Sequence, residues 1–483
     1  MIQRRLGAAL GVIAMLSACG GGGDGSSGGF TPTPTPTLTL TPTPTPTPTA
    51  CSVRDRQIWA ATQLREWYLF PETLPATLDP APYVTVEAYI DALTATARSQ
   101  RRDRFFTYLT SIEEEDAYYA SGSSAGFGFR LSTDTVQRRV IVSEAFEGAP
   151  ALAAGIDRGT EILAIGASTA SLRTVSDIIA LEGSAGVTNA LGASTAGVSR
   201  AFRVSDGATT RTVTVTKADY DLTPVSSRYG TRVIDDGGRK VGYVNLRSFI
   251  TTADPALRNA FATFRAQGVT DVIVDLRYNG GGLVSIAELF GDLLGRDRFA
   301  SDVLSYTVYR PEKSAENETR NFRSQPQSIA PTRIAFIGTS GTASASELVI
   351  NAFIPYLHAR AALIGTNTYG KPVGQIAIDR AACDDRLRVI AFATQNSARQ
   401  GDYYDGLAGK VEASCQAADD LTRPLGDPQE QSVARALDFL AGLSCTPIAP
   451  GAGAQAFRGG PARFELLTPE RPSTAQREAP GSF

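Results

Sequence analysis

Four apolar runs, at residues 241–246, 272–276, 334–337 and 361–364, constrain the folding of this chain most. None alternates polar with apolar residues, so each reads as a strand covered on both faces. Helical patterns at 255–267, Val284–Leu294 and Ala345–Leu357 lie between them. Strands separated by helices argue for an α/β core with parallel strands, because a parallel pair needs a long crossover connection. A later strand is expected at 387–394 and a closing helix within 427–443, so this region is taken as 219–445.

Two smaller regions precede it. Residues 51–120 read as a helical domain, since Ile58, Ala61, Leu64 and Trp67, then Val86, Tyr89, Ile90 and Leu93, recur at helical spacing. Their aromatics read as core, and the arginines at 98, 101, 102 and 104 read as a solvated basic loop. Residues 121–218 form the second region. At the start of the chain, Arg4 and Arg5 precede an apolar run at 6–16 that is too short to span a bilayer, so 1–18 reads as a signal peptide. Gly and Ser followed by a Thr-Pro repeat make 19–50 a linker, which alternating prolines hold extended as a stalk. Residues 446–483 are rich in Pro, Gly and Ala and are expected to be a disordered tail.

Composition narrows the function. With 46 basic and 49 acidic residues, the chain has no broad basic footprint for nucleic acid. Its single histidine, His358, excludes multi-histidine metal sites, and no metal or cofactor is expected. Acid–base chemistry near neutral pH would therefore run through another group. His358 falls at the end of the Ala345–Leu357 helix pattern, far from that helix's start, and reads as a structural residue there. Apart from Cys19, the cysteines are Cys51, Cys383, Cys415 and Cys445, which allow two disulfides in three pairings. The pairing expected here joins Cys383 to Cys415 and Cys51 to Cys445.

Three segments that follow the predicted strands carry candidate chemistry. In Asp275-Leu276-Arg277-Tyr278-Asn279-Gly280-Gly281-Gly282, successive glycines allow backbone amides to face an anion or oxyanion, and no Gly-Lys-Ser/Thr follows to support phosphate binding. Gly341-Thr342-Ala343-Ser344-Ala345-Ser346-Glu347 enters a helix; Ser344 with Glu347 fits a capping box, while Ser344 and Ser346 are both candidate nucleophiles. Thr368-Tyr369-Gly370-Lys371-Pro372-Val373-Gly374-Gln375 places a lysine in an uncharged stretch, where desolvation would lower its pKa and let it accept a proton.

These motifs, in this order, resemble those of the carboxyl-terminal processing peptidases, also called tail-specific proteases, over roughly residues 122–443. The resemblance implies a crotonase/ClpP-like α/β catalytic domain, an N-terminal helical domain and a PDZ domain. It also implies that Ser344 is the nucleophile, Lys371 the general base and Gln375 the residue orienting the lysine. The oxyanion would be held by the backbone of Ala345 with Gly280 or Gly281. Thr342 stands where the family usually has a serine. Gly126-Phe127-Gly128-Phe129, followed by the stretch 148–165, resembles a PDZ domain, whose Gly-Φ-Gly-Φ loop (Φ apolar) receives a peptide's C-terminal carboxylate. Leu16-Ser17-Ala18-Cys19 resembles a bacterial lipoprotein lipobox, which implies acylation of Cys19. With Gly20 next, it implies anchorage at the outer membrane, facing the periplasm or the cell surface. The expected partners are proteins with exposed C-termini. Two other readings are a non-catalytic PDZ scaffold of the cell envelope and an acyl-CoA enzyme of the crotonase type; intact Ser344, Lys371 and Gln375 disfavour the first, and export disfavours the second.

Overall fold

The computed structural model describes residues 51–449 and 464–483. Residues 1–50, expected from sequence to hold a signal peptide, a lipidated Cys19 and a Thr-Pro stalk, lie outside the described residues.

The apolar runs form the centre of a six-stranded sheet, in the order Thr231–Asp236, Arg239–Asn245, Asp271–Asp275, Arg333–Gly338, Ala361–Gly365 and Ala413–Gln416. The first two strands pair antiparallel, and every later pair is parallel. Asp271–Asp275 and Ala361–Gly365 are buried at every position, as a strand covered on both faces must be. Helices Ala253–Ala266, Val284–Leu294 and Ala345–Leu357 share one core with Val272, Val274, Ile334 and Leu363. The opposite face meets helix Gln431–Leu440 through Ile273, Ala335, Ile337 and Ile364. Side chains alternate along each strand, so the two faces draw on alternate residues of the same runs.

The predicted later strand, observed as Asp385–Gln395, belongs to a different sheet. It pairs antiparallel with Tyr108–Ser111, Val303–Tyr309 and Val373–Arg380. The N-terminal helices Val53–Trp67 and Val86–Leu93 pack on this second sheet: Leu64, Tyr68 and Ile90 share a core with Val373, Leu387 and Val389. The residues around Lys371 are thereby tied to the N-terminal helices.

Residues 121–218 supply most of a third sheet, in which Phe129–Asp134, Arg139–Ala145, Glu161–Gly166, Ser199–Ser205 and Thr210–Thr216 pair in succession. Helix Val175–Leu191 packs against it through Val175, Ile178 and Val187.

Two expectations are corrected here. The disulfides are Cys51–Cys383 and Cys415–Cys445, with Cα separations of 5.5 and 5.4 Å, and not the crossed pairs. Cys51 lies just before the first helix, which packs on the second sheet, and residue 383 sits in the turn between that sheet's strands Val373–Arg380 and Asp385–Gln395. Cys415 lies in the last strand of the central sheet, where Gln416 N–H bonds Thr446 O at 2.8 Å and brings Cys445 alongside. Nor is the end of the chain disordered over its described length. Residues 464–483 form the strand Glu465–Leu466 and the helix Thr474–Glu478, and Phe483 is 6% exposed. Peptide mapping without reduction is expected to recover Cys51 linked to Cys383 and Cys415 linked to Cys445; either crossed pair would contradict this packing.

Candidate active site

The three candidate loops meet at one end of the parallel sheet, where strands Asp271–Asp275, Arg333–Gly338 and Ala361–Gly365 finish side by side. Open α/β sheets place their sites at this carboxyl edge.

Arg277 anchors the first loop. It is fully buried, with its guanidinium 2.7 Å from Asp275 and 3.0 Å from both Glu430 and Asp419. Burial works against its charge, but the carboxylates of Asp275, Glu430 and Asp419 outweigh that and raise its pKa well above the ordinary value. Beyond it, Asn279 ties the glycine turn to its neighbours. Its Nδ2 donates to Leu246 O at 2.8 Å, and its Oδ1 accepts from Gly281 N–H at 2.9 Å. Asn279 O accepts from Ala343 N–H and from Ser346 Oγ, both at 3.0 Å. Gly281, at φ +126°, sits where a Cβ would lie 2.8 Å from Ser344 Cβ, so only glycine permits this approach.

Ser344 begins the helix Ala345–Leu357 with φ 55° and ψ −115°, a conformation that L-residues avoid. Strained backbone of this kind persists only where the surroundings enforce it, and it concentrates at functional turns. The enforcing group is Glu347. Its side chain is fully buried and accepts from Ser344 N–H at 3.1 Å, and from Gly370 and Lys371 N–H at 2.7 Å each. Burial raises its carboxyl pKa, against the hydrogen bonds it accepts. The capping-box glutamate therefore joins the serine loop to the lysine loop, which the local sequence pattern does not reveal.

Lys371 Nζ donates to Gln375 Oε1 at 2.8 Å, and Gln375 Nε2 donates to Phe106 O. A bulge between Gly374 and Gln375 interrupts the strand pairing at this point. Nζ also lies 5.1 Å from the Phe106 ring centroid. Burial lowers the Lys371 pKa to about 8. Among the described residues, no hydrogen bond joins Lys371 to Ser344. The competing nucleophile Ser346 is fully buried and spends its hydroxyl on Asn279 O, and Thr342 similarly bonds Leu276 O at 2.7 Å.

Gly280 N–H donates to Glu478 O, in the chain's own C-terminal helix, at 2.9 Å, and Gly281 N–H is held by Asn279; neither amide is open in this arrangement. Arg104, read from sequence as part of a solvated loop, instead donates to Tyr369 O at 2.8 Å and to Gly370 O, and lies 4.1 Å from the Tyr369 ring centroid. It braces the lysine loop. His358 is remote from this chemistry: exposed, it caps the far end of the Ala345–Leu357 helix and pairs with Glu412 at 2.7 Å.

The loop Gly126–Phe129 leads into the third sheet: Gly126 ends the short strand Ser123–Gly126, which pairs with Ala218–Asp221, and Phe129 begins Phe129–Asp134. Phe127 and Phe129 are fully buried in the core of the third sheet with Phe202, so the loop offers backbone and not these side chains.

All three loops fall within residues 240–397, which match Peptidase family S41. Over these residues the chain is similar to the S41 peptidases. The chain is 30% identical over 256 residues to a carboxyl-terminal-processing protease of Picosynechococcus, covering 52% of this chain and 55% of the relative. It is 26% identical over 355 residues to the chloroplastic carboxyl-terminal-processing peptidase 3 of Arabidopsis thaliana, covering 71% and 63%. The chain thus spans about half to two-thirds of the length of these relatives. An S41 protease structure from Bacteroides fragilis shares the fold, with a TM-score of 0.61 and 22% identity over 80% of this chain and 97% of that one.

Arg277→Met would leave Asp275 and Glu430 as buried charges without this partner. A loss of about 3–5 kcal/mol in unfolding free energy is expected. Urea unfolding checks this, and an unchanged midpoint would contradict the anchoring role of Arg277.

Proposed function

We propose that the protein is a serine endopeptidase with a Ser344–Lys371 dyad, acting on proteins of the cell envelope whose C-terminal tails it recognises. The observation that carries this reading is the buried Glu347 carboxylate, which holds the strained Ser344 turn and the Lys371 loop through three backbone hydrogen bonds. A lysine whose pKa has fallen to about 8 is a usable base near neutral pH, and Gln375 orients its amine.

In the reaction, neutral Lys371 takes the Ser344 hydroxyl proton as Oγ attacks the scissile carbonyl. The C–N bond then breaks as the Lys371 ammonium protonates the leaving amine, and an acyl-enzyme remains. Water adds to the ester, gives a proton to Lys371 and releases the new C-terminus, and Ser344 regains its proton. The amides of Ala345 and of Gly280 or Gly281 are the oxyanion donors, each contributing about 3–4 kcal/mol to the transition state. The Gly281 amide must leave Asn279, and the Gly280 amide must leave Glu478, before either can serve. Gly126, Phe127, Gly128 and Phe129 form the loop that receives a tail's carboxylate, as in a PDZ domain. Cys19 is the site of the lipid anchor, which holds the protein at the envelope membrane. Among the described residues, no helix is long and apolar enough to cross a membrane.

Ser344→Ala is expected to abolish cleavage of a test protein with an apolar, unfolded C-terminus while leaving thermal unfolding within a degree or two. Cleavage at the wild-type rate would sink the assignment. The sign of the pH dependence follows from Lys371: the reactive form is neutral, so kcat/KM rises about tenfold per pH unit below a pKa near 8 and levels off above it. A profile falling through pH 8, or flat from 6 to 9, would exclude Lys371 as the base.

A further inference from the structure

Residues 464–483 lie along the edge of strand Phe129–Asp134 and against the glycine turn. Glu465–Leu466 pairs antiparallel with Ser132 and Thr133, at the edge of strand Phe129–Asp134. The chain then leaves that edge, forms the helix Thr474–Glu478, and returns to the same strand. There Leu131 N–H donates to Gly481 O at 2.9 Å, Ser482 bridges Arg130 in antiparallel register, and Phe483 N–H donates to Phe129 O at 3.0 Å. Gly128 N–H donates to Phe483 O at 2.9 Å. A Cβ on Gly126 would lie 2.8 Å from Phe483 C, so the loop meets this segment backbone to backbone. This is strand addition that ends at the glycine loop.

Selectivity for the occupant is visible at each of its last residues. The Phe483 side chain enters the core formed by Phe127, Phe129, Leu131 and Ile178. Gly481 has φ +84°, and a Cβ there would come within 3.0 Å of both Arg130 Cγ and Leu131 O. The intervening helix lies over the catalytic loop: Gly280 N–H donates to Glu478 O, and a Cβ on Gly280 would collide with Arg477 O at 2.0 Å. Tyr119 Oη holds Glu478 at 3.0 Å, and Arg477 reaches Phe105 O at 2.9 Å. One segment thus fills the strand edge and covers a candidate oxyanion donor.

We propose that this groove takes protein tails ending in a free-carboxylate aromatic residue preceded by small residues, and that residues 464–483 are its resident ligand, displaced by a substrate tail of the same chemistry. This rests on the peptidase reading above for the word substrate, but the groove and its occupant can be tested without catalysis. A tethered ligand acts at an effective concentration on the order of 1 mM, so a peptide that binds the emptied groove at about 10 μM would appear roughly 100-fold weaker against the intact chain.

The test uses the full chain carrying Ser344→Ala, so that no probe is consumed. The probe is a fluorescent synthetic peptide with the sequence of residues 474–483, read by anisotropy. Three proteins are compared: the intact tail, the tail with Phe483→Asp, and a chain ending at residue 463. Both altered tails are expected to bind the peptide at least roughly tenfold more tightly than the intact chain, and to lose that gain when the peptide is C-terminally amidated. Equal affinity for intact and altered chains, equal binding of the amidated peptide, or no binding by either altered chain at about 1 mM peptide would each overturn the proposal. Because Ser344 is absent throughout, these outcomes are separate from any failure of the serine mechanism.

Discussion

The site depends on one buried carboxylate. Glu347 accepts backbone hydrogen bonds from Ser344, Gly370 and Lys371, and so fixes two loops that are separate in sequence and leave different strands. A buried charge would be costly if unpaired, and here the compensating donors are the amides whose positions matter for chemistry. The strain at Ser344 and the placement of the Lys371 backbone follow from that arrangement. Around it, Arg277 and Asn279 hold the glycine turn against the serine loop, and Arg104 holds the lysine loop from the N-terminal helical region.

The second organising feature is the chain's own end. Phe129–Asp134 would otherwise present an open edge, which proteins seldom leave long and unprotected. Residues 464–483 cover it, and the excursion through Thr474–Glu478 connects that edge with the glycine turn. The groove and the glycine turn are therefore bridged by a single short segment in this arrangement. Among the described residues, Lys371 and Ser344 share no hydrogen bond, and Lys371 Nζ is held by Gln375.

What could be read from the chain tracks how local the cause was. The buried strands announce themselves by unbroken apolar runs, and helices Val284–Leu294 and Ala345–Leu357 by their periodicity. The Lys371–Gln375 contact lies within one short segment and was legible as part of a motif. Glu347 was visible only as a cap, because its bonds to Gly370 and Lys371 come from a loop more than twenty residues away. Arg104 looked solvated, since nothing near it in sequence signals Tyr369. Spacing along the chain does not reveal the disulfide pairing, because docking of the first helix on the second sheet decides the partner of Cys51. The order of residues 464–483 does not show in their composition, which is poor in periodic apolar residues, because it comes from partners distant in sequence such as Arg130, Gly280 and Phe105. A local signal was present even so: Ser473 and Gln476 form a capping box, with bonds at 3.2 and 3.3 Å, just before an aromatic terminus.

The central claim is that Ser344 is the residue activated by this framework. Mass-spectrometric mapping of the site labelled by a fluorophosphonate probe tests it most directly. The account predicts one phosphonylated residue, Ser344, with a labelling rate that falls at least a hundredfold in Lys371→Ala. Labelling at Ser346 or elsewhere, or a rate indifferent to Lys371, would contradict it.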